Sequence, residues 1–136
     1  MMKAAVDAAQ KCAKELGVPK PLIVGVTVLT SDAPMPETPR LVLERAKMAK
    51  TAGLDGVVCS VQEAAMLRKE LGPEFVLVTP GIRQADTDAG DQKRVDTPAG
   101  AIRNGSSFLV VGRPIMKAKD PRQAARNILQ EIESAL

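Results

Sequence analysis

The chain of 136 residues contains no histidine, tryptophan or tyrosine, only two phenylalanines, Phe75 and Phe108, and only two cysteines, Cys12 and Cys59. Each absence closes a class of function. Without histidine there is no Ser–His or Cys–His nucleophile pair, and a transition-metal site loses its commonest ligand, so no metal is expected. Two aromatics make no stacking platform for bases, which argues against nucleic acid as a partner despite a net charge of +3. Two cysteines make no disulfide framework; both read as small buried hydrophobes, Cys12 in a helical stretch and Cys59 at the end of a strand. No apolar run approaches the roughly 20 residues of a membrane span. The opening Met1-Met2-Lys3-Ala4-Ala5-Val6-Asp7 turns polar too early for a signal peptide, so the expected setting is the cytoplasm, away from membranes.

What is present fits one globular domain over residues 1–136. Apolar residues make up 45% of the chain and charged residues 26%, well mixed, enough for a real core but not for two domains. Lysines and arginines are spread along the helical stretches, as on a solvated basic surface around a site for a small anion.

The apolar period alternates between that of helix and that of strand. Met2 to Leu16 reads as an amphipathic helix through Val6, Ala9, Ala13 and Leu16, stopped by Gly17. Leu22 to Leu29 reads as a buried strand ending in Thr30-Ser31. Thr38-Pro39 starts a helix, with threonine at the cap and proline first inside it, that closes at Gly53. Gly56 to Cys59 is a short strand. Ser60-Val61-Gln62-Glu63 is a capping-box signature opening a helix to Leu71. Phe75 to Thr79 is a third strand, broken by Pro80-Gly81. After a polar loop, Ile82 to Asp96, Thr97-Pro98 caps a short helix ending near Gly105. Ser107 to Val111 is a fourth strand, and Asp120-Pro121 starts a last helix. Alternation with continuously apolar strands means a parallel sheet with helices outside. A small doubly wound sheet and part of a (β/α)₈ barrel both fit. A whole barrel needs roughly 200 residues or more, so only a half barrel is possible here. In both architectures ligands bind at the C-terminal ends of strands.

At those ends lie Thr30-Ser31, Ser60, Pro80-Gly81 and Gly112-Arg113. Gly112-Arg113 suits a phosphate clamp: glycine admits an anion to a backbone N–H, and arginine offers a fork of donors. A glycine turn with a surface arginine is the competing reading, and position after the last strand favours the clamp. The loop from Gly81 to Arg94 is long for such a connection, the length of a functional loop or a disordered one. Its Arg83, Gln92, Lys93 and Arg94 could face an anion. Thr30-Ser31 could serve a ligand or a turn. Asp32, Asp55 and Glu63 are lone carboxylates and read as caps and surface charges. There is no G-x-G-x-x-G and no Walker A sequence.

Several phrases, in order, carry a resemblance. They are Val26-Thr27-Val28-Leu29-Thr30-Ser31, then Gly53-Leu54-Asp55-Gly56-Val57-Val58-Cys59-Ser60 with Gln62-Glu63-Ala64, then Leu77-Val78-Thr79-Pro80-Gly81-Ile82-Arg83. Gly90-Asp91-Gln92-Lys93-Arg94 and Val110-Val111-Gly112-Arg113-Pro114-Ile115 complete the set. In this order the chain resembles bacterial orotidine 5′-phosphate decarboxylases over essentially its whole length. The resemblance implies a half (β/α)₈ barrel, barrel strands five to eight with outer helices, from the C-terminal half of such an enzyme. It implies orotidylate or uridylate as ligand and a lyase of pyrimidine synthesis that uses neither metal nor cofactor. Thr30 would sit by the nucleotide, Ser31 near the pyrimidine and Pro80 against the base. Arg83 would belong to a closing loop, Gln92 would reach the phosphate from it, and Gly112 and Arg113 would hold the phosphate.

The family's catalytic D-x-K-x-x-D segment, whose lysine protonates the ring carbon, belongs to the first half of the barrel. The chain is therefore expected to hold no such segment and to be inactive alone. Either it binds phosphate ligands without catalysis, or a separate N-terminal half completes it. Self-association that closes the half barrel is also expected. The stretch from Ser31 to Gly53, with Pro34, Pro36 and Pro39, is expected to be shorter than the family's.

Overall fold

In the computed structural model, which describes residues 1–29, 35–83 and 96–136, the elements follow the expected alternation. They are α1 (Met2–Leu16), β1 (Val24–Val26), α2 (Thr38–Thr51), β2 (Gly56–Val58) and α3 (Val61–Leu71). Then come β3 (Val76–Thr79), α4 (Pro98–Arg103), β4 (Phe108–Leu109), α5 (Arg113–Met116) and α6 (Pro121–Glu133). The strands form one parallel sheet in the order β1-β2-β3-β4, with Val26, Val58, Val78 and Phe108 in one row. Four parallel strands with helices outside are the arrangement of a half (β/α)₈ barrel.

Local chemistry sets most element ends. Gly17 closes α1 in the left-handed region at φ 65°, where glycine alone avoids a Cβ penalty. The hydroxyl of Ser60 accepts the Gln62 N–H at 3.2 Å at the start of α3, and Thr97 Oγ1 accepts the Gly100 N–H at 3.0 Å at the start of α4. Asp120 Oδ1 accepts the Gln123 N–H at 3.0 Å and caps α6. Helix α2 starts one residue earlier than expected, with Glu37 at the cap. Thr38 is instead buried, its Oγ1 accepting the Met35 N–H at 2.9 Å. The four-residue α5 was not foreseen, because one turn is too short to show a period.

Packing is one-sided. Strands alternate their side chains, so Val57 and Leu77 face the helices and meet Val42, Ala46 and Ala49 of α2 and Ala64 and Leu67 of α3. Alanines on the inner faces of both helices let their backbones approach the sheet. A second cluster, Val61, Ile82 and Ala101 with Leu109 and Val111, lies beneath the exits of β3 and β4.

Among the described residues the other face is open, as a half barrel's inner face is expected to be. Val24, Val26, Val58, Val76, Val78 and Phe108 point there, and among the described residues no helix lies over them. Val26 is 63% exposed and Phe108 54%. The apolar run from Leu22 to Leu29, read as a fully buried strand, contributes a three-residue ladder and buries only part of its surface. Such a run is written for burial on both faces, and one face here is open. Cys12 also corrects its reading: it is exposed, because α1 buries only Ala13. Cys59 is buried, as expected.

Candidate functional site

All four strands run the same way, so the segments leaving their C-terminal ends gather at one end of the sheet. Strand β1 leads toward residues 30–34, β2 into Ser60, β3 into Pro80 and β4 into Gly112. Thr30, Ser31 and Gln92 lie outside the described residues, as do Asp32, Lys93 and Arg94. Pro80, Arg83, Gly112 and Arg113 are described and leave the neighbouring strands β3 and β4 at that shared end.

At the exit of β3, Thr79 is buried and donates to Ser106 Oγ at 3.0 Å, which ties β3 to the segment before β4. Pro80 is half-buried. Gly81 adopts φ 81°, a bend that a side chain would strain. After that bend the Asp96 N–H donates to the Gly81 carbonyl at 3.3 Å, and the Arg83 N–H donates to the Asp96 carbonyl at 2.9 Å. Ile82 is fully buried between these bonds. The two ends of the segment 84–95 are therefore held side by side at the mouth of β3. The Arg83 side chain is buried to 9% exposure, and its Nη1 donates to the Ile82 carbonyl at 2.7 Å. A guanidinium keeps its charge when buried, so this end of the sheet holds a fixed cation.

At the exit of β4, the Val110 N–H donates to the Thr79 carbonyl at 3.0 Å and carries the pairing one residue past the ladder. Gly112 has φ −113° and ψ −89°, in neither the helical nor the extended region, and a Cβ built there would meet nothing within 4 Å. Packing among the described residues does not account for glycine at this position. Arg113 follows, half-buried, as the first residue of α5.

Ser60 behaves as its capping signature predicted, and Glu63 does not. Ser60 commits its hydroxyl to the α3 cap. Glu63 is a buried carboxylate, 5% exposed, and not a surface charge; nothing in its local sequence signals that burial. Among the described residues no group of three His, Cys, Asp or Glu could hold a metal ion, and no helix is long and apolar enough to cross a membrane.

The opposite end of the sheet is built for stability. Arg68, on α3, donates to the carbonyls of Gly72, Pro73, Phe75 and Gly105 and to Ser107 Oγ, at 2.7–3.1 Å. It thereby joins the end of α3 to the starts of β3 and β4. Asp55, before β2, accepts the Ile23 N–H at 2.7 Å and Lys20 Nζ at 2.6 Å, correcting its reading as a surface charge. The Ile23 N–H first, and Lys20 second, hold its carboxyl below the usual carboxylate range. A cleft of about 290 Å³ there is lined by Leu22, Lys50, Asp55 and Phe75 among others. Of its polar groups, Asp55 is bonded as above and Lys50 Nζ donates to the Leu71 carbonyl at 2.7 Å; Glu74 also lines it.

One expectation from the sequence needs correction. The letters D-x-K-x-x-D do occur, once, as Asp91-Gln92-Lys93-Arg94-Val95-Asp96. They follow β3, inside the segment that carries the Gly90-to-Arg94 resemblance to a phosphate loop. Residues 91–95 lie outside the described residues. Asp96 is described, and its Oδ1 accepts the Thr97 N–H at 2.7 Å.

Comparison with known proteins shows the family and the fold. The family model "Orotidine 5'-phosphate decarboxylase / HUMPS family" matches residues 1–128. The orotidine 5′-phosphate decarboxylase of Hydrogenovibrio crunogenus is 49% identical over 144 residues, all of this chain and 57% of that protein. That of Aliivibrio fischeri strain MJ11 is 46% identical over 143 residues, 96% of this chain and 59% of its own length. Among solved structures, orotidine 5′-phosphate decarboxylase from Lactobacillus acidophilus superimposes with a TM-score of 0.75 at 38% identity, over 97% of this chain and 58% of that one. The Pyrococcus horikoshii OT3 structure, at 22% identity and TM-score 0.64, shares the fold. The chain thus spans somewhat over half the length of the relatives it matches, and it belongs to the orotidine 5′-phosphate decarboxylase / HUMPS family.

Proposed function

We propose that this chain is the C-terminal half of an orotidine 5′-phosphate decarboxylase-type barrel, strands five to eight, and that it binds the phosphate of a pyrimidine nucleotide, orotidylate or uridylate. Gly112 and Arg113 hold the phosphate, with Arg83 and Gln92 reaching it from the neighbouring exit. Thr30, Ser31 and Pro80 adjoin the nucleoside. The observation that carries this reading is Gly112: a glycine with open space where a side chain would stand, followed by an arginine, at the strand exit beside that of a buried arginine. An anion approaching that backbone accounts for the missing side chain. The strand exits are the binding end of barrel enzymes generally, which supports the same placement.

The same reading holds that the chain alone does not decarboxylate orotidylate, and that it acts in the cytoplasm without metal or cofactor. Phosphate contacts remote from the reacting carbon support catalysis only where groups at that carbon stabilise the developing charge. The hexapeptide from Asp91 to Asp96 belongs to the phosphate loop in this reading, and the Asp96 carboxylate is engaged at the entry to α4. Pure chain incubated with orotidylate should release no carbon dioxide above the uncatalysed background, while the phosphorus resonance of uridylate should shift and saturate on titration. Turnover by the pure chain would overturn the inactive reading, and an unmoved phosphorus signal would overturn the binding site. Activity arising only on addition of a separate N-terminal half would identify the chain as a complementing subunit.

A further inference from the structure

Both backbone groups of Asp96 pair with the exit of β3. Its N–H donates to the Gly81 carbonyl at 3.3 Å, and its carbonyl accepts the Arg83 N–H at 2.9 Å. Its side chain turns toward α4, where Oδ1 accepts the Thr97 N–H at 2.7 Å. The Asp96 carbonyl and the Thr97 N–H are the two ends of one planar peptide group. The carboxylate therefore fixes the plane whose oxygen end receives Arg83. Turning that plane would break both bonds together.

Gly100 makes room for this arrangement. It lies in the first turn of α4, where alanine would make the better helix. Its φ is not positive, so no turn requires glycine there. A Cβ on Gly100 would overlap Asp96 Oδ1 and stand 2.9 Å from Asp96 Cγ and 3.1 Å from Thr97 Oγ1. The group that would give way is the end of a side chain, not backbone. An added methyl thus displaces the carboxylate and leaves the helix standing. The next donors of that turn are already taken: the Ala99 N–H by Glu131 Oε1 at 3.3 Å, and the Gly100 N–H by Thr97 Oγ1 at 3.0 Å.

Arg83 is the residue this arrangement holds. Its side chain is buried, with Nη1 donating to the Ile82 carbonyl, and Ile82 packs against Ala101 of α4. The direction of a buried guanidinium follows from the backbone that carries it. We propose that Asp96 is a positioning residue for the phosphate site: seated against Gly100, it orients the peptide that holds the Arg83 backbone, and so aims the Arg83 guanidinium. The role in binding rests on the nucleotide reading; the hold on Arg83 rests on the contacts alone.

Backbone amide hydrogen exchange and phosphorus-resonance titration with uridylate, both on the full chain, test this role. Asp96→Ala and Gly100→Ala should each speed exchange at the Arg83 amide and weaken uridylate binding roughly fivefold to tenfold, the loss of one hydrogen bond. The Val110 amide, bonded at the exit of β4, should exchange as before. Once residue 96 is alanine, Gly100→Ala has no carboxylate to move, so the double variant should be no worse than Asp96→Ala alone. Asp96→Asn keeps an oxygen for the Thr97 N–H and should restore both readouts. Unchanged Arg83 exchange in either single variant, or additive losses in the double, would overturn the role of Asp96. Variants that loosen Arg83 yet bind uridylate as tightly as the unaltered chain would overturn it equally. If the unaltered chain binds no uridylate, the nucleotide reading fails, and the exchange result alone decides whether Asp96 holds Arg83.

Discussion

Arg68 shows how one side chain can serve three elements. Its guanidinium satisfies carbonyls at the end of α3 and at the starts of β3 and β4, groups that would otherwise compete for water at a sheet end. Arg68→Ala should cost about 2–3 kcal/mol in urea denaturation, the scale of charge-assisted hydrogen bonds. Arg68→Lys should recover only part, because an ammonium cannot span both strand starts; full recovery would mean that charge alone matters. Asp55 makes a pH-dependent contribution. Its folded pKa lies below the ordinary 3.8, so its stabilisation is complete above that value and is lost as pH falls through the lower folded value. Asp55→Asn should therefore lower stability at neutral pH and flatten its decline in the acid range below about pH 4; parallel acid limbs for the two proteins would contradict this. Neither role was legible in the sequence. The partners of Arg68 at Gly105 and Ser107 and the partner of Asp55 at Lys20 lie more than thirty residues away along the chain. The helix caps were legible, since Ser60, Thr97 and Asp120 each act within three residues.

At the scale of elements, order and type could be read from period, and extents could not. The ladders cover two to four residues where the apolar runs suggested four to eight. A run of apolar residues records burial on both faces, whereas a ladder records paired backbone, and the runs continue past the pairing. The one-residue shift at the start of α2 has a similar cause: Thr38 suits a cap, but its hydroxyl is used by Met35 and its side chain by the core. The β2–β3 pairing depends on Gly56, which faces Val76 in the register. A Cβ at Gly56 would overlap the Val76 carbonyl, a backbone group that cannot swing aside. Gly56→Ala should therefore destabilise by about 1–3 kcal/mol through forced separation of the strands. An unchanged denaturation midpoint would mean that the strands lie further apart than this register requires.

For the molecule as a whole, the alternation made a parallel sheet with outer helices legible, and the family resemblance chose the half barrel over a small doubly wound sheet. The candidate site was legible in part. Strand direction alone places Pro80, Arg83, Gly112 and Arg113 at one end, whereas the burial of Arg83 and the open space at Gly112 needed three dimensions. Calorimetric titration of the pure chain with uridylate, beside uridine and an Arg113→Ala variant, tests the central claim most directly. The account predicts saturable binding of uridylate, none of uridine, and binding roughly tenfold to hundredfold weaker in the variant. Equal heats for uridylate and uridine, or an affinity untouched by Arg113→Ala, would contradict a phosphate site at the exit of β4.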